Sequence, residues 1–318
     1  NFLDYVCNYY CVYNFYIWDK WKVDLLRRRG GVMMNTRRGK IKKKVFKLIS
    51  YCVLILLGFV FIYPLLFMIS ASFKGNQELM TSMSLIPKHV SFENYVNGWK
   101  GVGQYSFGHF LKNSGVLVIP VVLLTVMSSS IVAYGFARFR FKGHDLLFIL
   151  MISTLMLPNA VIIIPRYIMF RQLKWLNTYI PFYALALFAC YPFFIFSMIQ
   201  FIRGIPKDID ESAYMDGCSS WGIFVNMILP LSKPCLFSMG IFQFIWTWND
   251  YFNPLIFINS VEKYTVMQGL RMSMDSSSGI SWGPIMALSL LAILPCVIIF
   301  FLAQKYFVEG VATTGVKG

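Results

Sequence analysis

Charged residues divide this sequence into long uncharged runs, and those runs limit what it can fold into. Residues 48–73 lie between Lys47 and Lys74, 113–137 between Lys112 and Arg138, and 146–165 between Asp145 and Arg166. Residues 175–202 lie between Lys174 and Arg203, 234–249 between Lys233 and Asp250, and 276–304 between Asp275 and Lys305. The fifth run resumes after Asp250 through Ile258. Crossing about 30 Å of hydrocarbon takes roughly 20 helical residues. All six runs suffice if Asp250 is tolerated in the fifth. None shows the period-2 alternation of a membrane strand. The expected fold class is an all-α membrane protein with six transmembrane helices.

Composition agrees. Hydrophobic residues make up 57% of the 318 residues and charged residues 14%, against about 25% charged in soluble domains. This excludes a disordered chain, a coiled coil and a basic nucleic-acid-binding domain. The net charge of +15 does not revive the last of these. Much of it sits in Arg37, Arg38, Lys40, Lys42, Lys43, Lys44 and Lys47, directly before the first apolar run. A basic cluster abutting a span is what anionic lipid and the positive-inside bias select. The tail 33–47 is therefore expected to be cytoplasmic. Six spans then return the C-terminal tail 309–318 to the cytoplasm. The turn 138–145 and the loop 204–233 fall inside by the same count, and the loops 74–112 and 259–283 fall outside. Arg166, Arg171 and Lys174 in an outer turn depart mildly from the bias.

Prolines at 64, 120, 158, 192 and 295 lie within the runs. Each removes a backbone hydrogen bond and can kink a helix, either as a tolerated feature or to line a moving path. Residues 1–32 are rich in Tyr and Trp but hold no run of spanning length. The stretch Arg27-Arg28-Arg29-Gly30-Gly31 before Met33 and Met34 fits purine-rich codons upstream of a start. The segment is expected to be an extension ahead of the true start, the alternative being an interfacial aromatic segment. The seven cysteines are scattered, with neither a disulfide framework nor metal-ligand spacing. Cys7 and Cys11, at i and i+4, have no histidine nearby.

No phosphate loop, H-E-x-x-H helix, dinucleotide fingerprint or nucleophile–His–acid set is visible. No catalytic residue, cofactor or metal is expected, and the chain is not expected to hydrolyse ATP. The long inner loop is more informative. Asp208 or Asp210 can cap a short helix whose first turn is acidic. Gly217 either ends that helix or permits close backbone approach. Trp221, Phe224 and Ile228 then share one face of a second helical stretch that runs to Pro230. The result is a helix–Gly–helix projection, or an amphipathic loop on the membrane surface.

That loop resembles the EAA motif of ABC-importer permeases, which reads Glu-Ala-Ala, three residues, Gly, nine residues, Ile-x-Leu-Pro. Here Glu211, Ser212, Ala213, Gly217, Met227, Leu229 and Pro230 hold the pattern, with Ser212 and Met227 as mild departures. Ile205-Pro206-Lys207 and Asp216-Gly217 are similar to the sugar-importer branch. So are Ile86-Pro87 to Asn94-Tyr95, Trp248-Asn249-Asp250-Tyr251 with Pro254-Leu255, and the stretch Gln304–Gly310. The resemblance covers roughly residues 40–318 and extends to maltose-type G-subunit permeases.

The resemblance implies one membrane subunit of an ATP-driven importer in a bacterial cytoplasmic membrane. Its partners would be a second permease in a heterodimer, two ABC ATPase subunits and an extracytoplasmic sugar-binding protein. The six-helix domain would run over 48–308. Glu211, Ser212, Ala213, Asp216, Gly217, Leu229 and Pro230 would couple it to the ATPase. Trp246, Trp248, Asn249, Asp250 and Tyr251 combine aromatic faces with hydrogen-bonding groups, as a sugar path requires, although aromatics at an interface also serve as anchors. Asp275, Ser276, Ser277, Ser278 and Gly279 would face the binding protein, or form a passive connector. The alternative is an ion-coupled secondary transporter. It would favour internal repeats and intramembrane ionisable groups, and Asp250 is the one candidate for such a group.

Overall fold

The computed structural model describes residues 37–315, apart from 102 and 276–280. Internal packing divides the chain into two units, residues 1–65 and 66–318. Every regular element among the described residues is helical. The first, α1 (Arg37–Ser72), contains the 28-residue apolar stretch Val45–Ser72. Two short helices follow, α2 (Asn76–Thr81) and α3 (Glu93–Trp99).

The second unit is organised around α4 (Phe107–Arg138). Its buried positions include Ser114, Thr125, Ser129, Ser130 and Ala133, small residues that let neighbouring helices approach. Ser130 returns its hydroxyl to Val126 O at 2.6 Å, so the polar group costs little at this depth. Packed on α4 are α7 (Ile180–Leu187), α8 (Pro192–Gly204), α12 (Lys233–Trp248) and α14 (Val266–Asp275). The last helix, α15 (Trp282–Gly315), packs on α12, α14 and α3.

Among the described residues, four helical stretches are long and apolar enough to cross a membrane, and six if two bent pairs each count as one. The first pair is α5 (His144–Thr154) with α6 (Asn159–Gln172), bent by 105°. Pro158 sits at the N-cap of α6, where the chain is extended. The kink expected there is a full break, because Pro158 cannot continue the helix before it. The fourth run is likewise not one continuous helix. Pro192 starts α8, and Tyr191 before it is forced out of the helical region at φ −113°, ψ 79°. Pro64, Pro120 and Pro295 remain inside their helices.

The fifth run differs most from expectation. Its helix ends at Trp248, and a separate short helix, α13 (Phe252–Phe257), follows. Asp250 therefore lies in a break between helices rather than along one. Asn177 ties that region to the turn before α7. Its Oδ1 accepts from the Asn259 and Ser260 amides at 3.2 and 3.0 Å, and its own amide N–H donates to Phe257 O at 2.7 Å.

Candidate functional site

Asp208, Asp210 and Glu211 all fall in the first turn of α9 (Asp208–Met215), where negative charge suits the helix dipole. Lys207 holds the N-cap position without a side-chain bond, so neither aspartate caps this helix. Asp210 points inward instead. Its Oδ2 lies 2.6 Å from Arg138 Nε at the end of α4, with the two side chains 11% and 5% exposed. The contact is electrostatic rather than an aligned hydrogen bond, and Asp210 Oδ1 has no partner among the described residues. Burial pushes the Asp210 carboxyl above the ordinary carboxylate range, against the pull of Arg138.

Two further bonds hold the loop on α4. Arg138 Nη2 donates to Ile205 O at 3.1 Å, and the Tyr134 hydroxyl donates to Ser220 O at 3.1 Å. Tyr134 also packs its ring 5.0 Å from that of Phe224. Arg138 and Tyr134, which supply these anchors from α4, were not among the sequence candidates.

The candidates themselves occupy the opposite face. Glu211, Ser212, Asp216, Gly217 and Pro230 are exposed, Leu229 is half-buried, and Met215 is 88% exposed. Ala213 alone turns inward, into a core with Ile202, Ile223 and Phe224. Gly217 has φ +82°. Its amide bonds to Tyr214 O at 3.0 Å, and the Cys218 amide bonds to Ala213 O at 2.9 Å. These two bonds close a Schellman motif, which needs the left-handed conformation that glycine supplies. A Cβ there would meet nothing within 4 Å. Within the chain, the glycine is required by backbone conformation and not by close approach.

The second limb starts at Ser219, whose Oγ caps α10 (Ser220–Ile223) by accepting from the Gly222 amide at 3.1 Å. A π turn, Phe224–Ile228, and α11 (Leu229–Leu231) complete it. Pro230 lacks an N–H and crowds the carbonyl four residues back. The wider turn, with the Leu229 amide bonding to Phe224 O, accommodates it.

The path candidates are split between surroundings. Trp246 is 48% exposed and sits among Phe193, Phe194 and Phe242, with ring centroids 5.1, 5.2 and 6.2 Å away. Trp248 is buried, stacked on Phe244, and donates its indole N–H to Ala292 O at 2.9 Å. Asn249 is exposed and donates to Ile245 O at 2.8 Å. Asp250 accepts from the Asn253 amide at 3.1 Å and its side chain at 2.7 Å, holding the start of α13. Tyr251 lines a small cavity with residues of α14.

The region 259–283, expected as an outer loop, contains α14. Ser273 lies within that helix and bonds to Gly269 O at 3.0 Å. Asp275 is the last residue of α14; Ser276, Ser277, Ser278 and Gly279 lie outside the described residues.

Residues 129–313 match the family of binding-protein-dependent transport system inner membrane components. A probable ABC transporter permease, YurM of Bacillus subtilis, is 35% identical over 80% of this chain and 84% of its own. The arabinooligosaccharide transport permease AraQ of the same organism is 33% identical over 86% and 97%. The trehalose/maltose transport permease MalG of Thermococcus litoralis is 31% identical over 88% and 99%. The fold is that of a chain from a bacterial ABC transporter that imports the acidic polysaccharide alginate. The TM-score is 0.75 at 20% identity, covering 87% of this chain and all of that one. This multi-pass, all-helical membrane protein belongs to the binding-protein-dependent transport system inner membrane components.

Proposed function

We propose that this chain is one of two membrane subunits of an ATP-driven importer for a sugar or oligosaccharide. It would act with a second permease, two ABC ATPase subunits and an extracytoplasmic sugar-binding protein, in a bacterial cytoplasmic membrane with both termini inside. The substrate class rests on the relatives named for arabinooligosaccharides and for trehalose and maltose. One observation carries the mechanism: the outer face of α9 is exposed while its inner face is fixed to α4 by the buried Arg138–Asp210 pair.

Glu211 and the projecting Met215 dock into a cleft on the ATPase, which hydrolyses the ATP. Closure of the ATPase dimer displaces α9. Because α9 is pinned to α4, and α4 packs against α7, α8 and α12, the bundle moves as a body rather than bending locally. Trp246 and its aromatic neighbours offer a face on which sugar rings stack, and Asp275–Gly279 meets the binding protein.

The test is uptake by the complete complex in proteoliposomes. ATP and binding protein should both be required. Uptake that follows an ion gradient and survives ATP depletion would instead establish a secondary transporter.

A further inference from the structure

An apolar groove of about 650 Å³ lies between α4, α12 and α15, and the coupling scheme does not use it. Val122 and Val126 come from α4, Gly240 and Phe244 from α12, and Ile299 and Leu302 from α15. Gly240 keeps the middle of the groove open. A Cβ there would meet no atom closer than Val122 Cγ1, at 3.8 Å.

Lys233 is the one charged residue lining the groove, and it stands at one end, as the first residue of α12. It is exposed and forms no ion pair among the described residues. A lysine stem lies readily on apolar surface while its ammonium reaches the polar boundary. The positive end of the α12 dipole faces the same boundary.

Length and width decide what fits. From Lys233 to Phe244 the groove follows α12 for about 16 Å, at about 1.5 Å per residue. That is half of a hydrocarbon core of about 30 Å, or one leaflet. A partner's spanning helix would cross both leaflets. The volume spread over that length gives a mean cross-section of about 40 Å², roughly half that of a helix about 10 Å across. A helix would bridge the groove and leave it void, forfeiting the packing that drives association in lipid. An acyl chain enters from one leaflet and fills it, and its headgroup then arrives at Lys233.

We propose that this groove holds an acyl chain of an anionic phospholipid, with the phosphate paired to Lys233. A chain that leaves the groove finds equally apolar lipid, so the ion pair, not hydrophobic transfer, makes the site selective. The site stands whichever solute the importer carries. With both termini inside, as proposed, the leaflet is the cytoplasmic one.

The experiment titrates the purified, assembled complex with dioleoyl phosphatidylglycerol or dioleoyl phosphatidylcholine and counts bound lipid by native mass spectrometry. The wild type should hold phosphatidylglycerol more tightly, by about fivefold for one cation beside an anionic headgroup. Lys233→Gln should remove that preference and Lys233→Arg should keep it, both at unchanged melting temperature. Gly240→Leu fills the groove and should weaken both lipids; Leu123→Trp, on its lining, serves if Gly240→Leu fails to assemble. The site is overturned if the wild type shows no preference, if Lys233→Gln retains it, or if the filled groove binds both lipids as before. A photo-crosslinking side chain in place of Met127, also on the lining, should capture lipid. Capture of the second permease there would overturn the site as well.

Discussion

Arg138 Nε stands 2.6 Å from Asp210 Oδ2, and through this contact the end of α4 grips the inner face of α9. Both side chains are almost fully buried, so opening the pair leaves a charge without compensation. Such losses cost about 3–5 kcal/mol, whereas replacing both partners by apolar residues is often neutral. Arg138→Met and Asp210→Leu should each lower the melting temperature and abolish sugar-stimulated ATP hydrolysis. The double variant should recover the melting temperature. If the pair serves coupling only by positioning α9, the double variant also recovers a substantial share of stimulation.

The same pair predicts a pH dependence. Burial raises the folded-state pKa of Asp210 above its unfolded value, so the folded state binds this proton more tightly. Acidification through that raised pKa does not destabilise the fold through this group. It neutralises Asp210 and weakens its electrostatic hold on Arg138, while the protonated carboxyl, unlike the leucine of Asp210→Leu, stays beside the guanidinium as a neutral acceptor. Coupling between ATP hydrolysis and uptake should therefore fail at a pH above the ordinary carboxylate range, while the melting temperature holds. Asp210→Asn should lack this acid limb. A limb identical in wild type and Asp210→Asn would assign it to another group.

Gly217 is needed for its φ of +82° and not for space. Alanine there should cost about 1–2 kcal/mol, and a β-branched residue more. Asparagine, which tolerates the left-handed region, should be the mildest substitution. The order of coupled ATPase activity should be Gly217, then Asn, Ala and Val. Equal loss in Asn and Val would mean that a partner surface, rather than the helix end, excludes the side chain.

Asp250 bonds twice to Asn253 and so fixes where α13 begins. Asp250→Asn retains an acceptor for the Asn253 amide and should transport nearly as well as wild type. Asp250→Leu removes both bonds and should cost about 1–3 kcal/mol, read as a lower melting temperature of the complex. Loss of uptake in both variants, with normal melting, would instead point to a charge in the translocation path.

The helical membrane fold was legible because its signal is one-dimensional: charges fence apolar runs of spanning length. The acidic first turn of α9 and the helix-ending role of Gly217 were legible for the same reason, since dipole and turn chemistry act within a few residues. The breaks at Pro158 and Pro192 were marked in sequence, but their size depends on what packs around them. Asp210 was misread because its role depends on Arg138, far away in sequence. Its i, i+3 spacing with buried Ala213 was the available sign that it faces inward. Likewise α14 was hidden in a polar segment, because its core face is completed by residues of α4 and α15.

Trp246 and Trp248 are two residues apart and face different surroundings, which separates the path from the packing. Trp248 is 5% exposed, and its indole N–H donates to Ala292 O at 2.9 Å across the α12–α15 contact. Trp248→Ala should cost about 3–5 kcal/mol. Trp248→Phe keeps most of the ring contact with Phe244 and should lose about 1 kcal/mol for the bond, plus what the smaller ring leaves unfilled. Trp246 is half exposed beside Phe193, so Trp246→Ala should lower the melting temperature much less. If the exposed ring stacks on sugar, that same variant should reduce uptake severalfold at normal assembly, and Trp246→Phe should restore much of it. Melting curves and uptake on the four variants decide the matter. Normal uptake by Trp246→Ala would leave that tryptophan as an interfacial anchor, and the sugar path would then have to run along another face of the bundle.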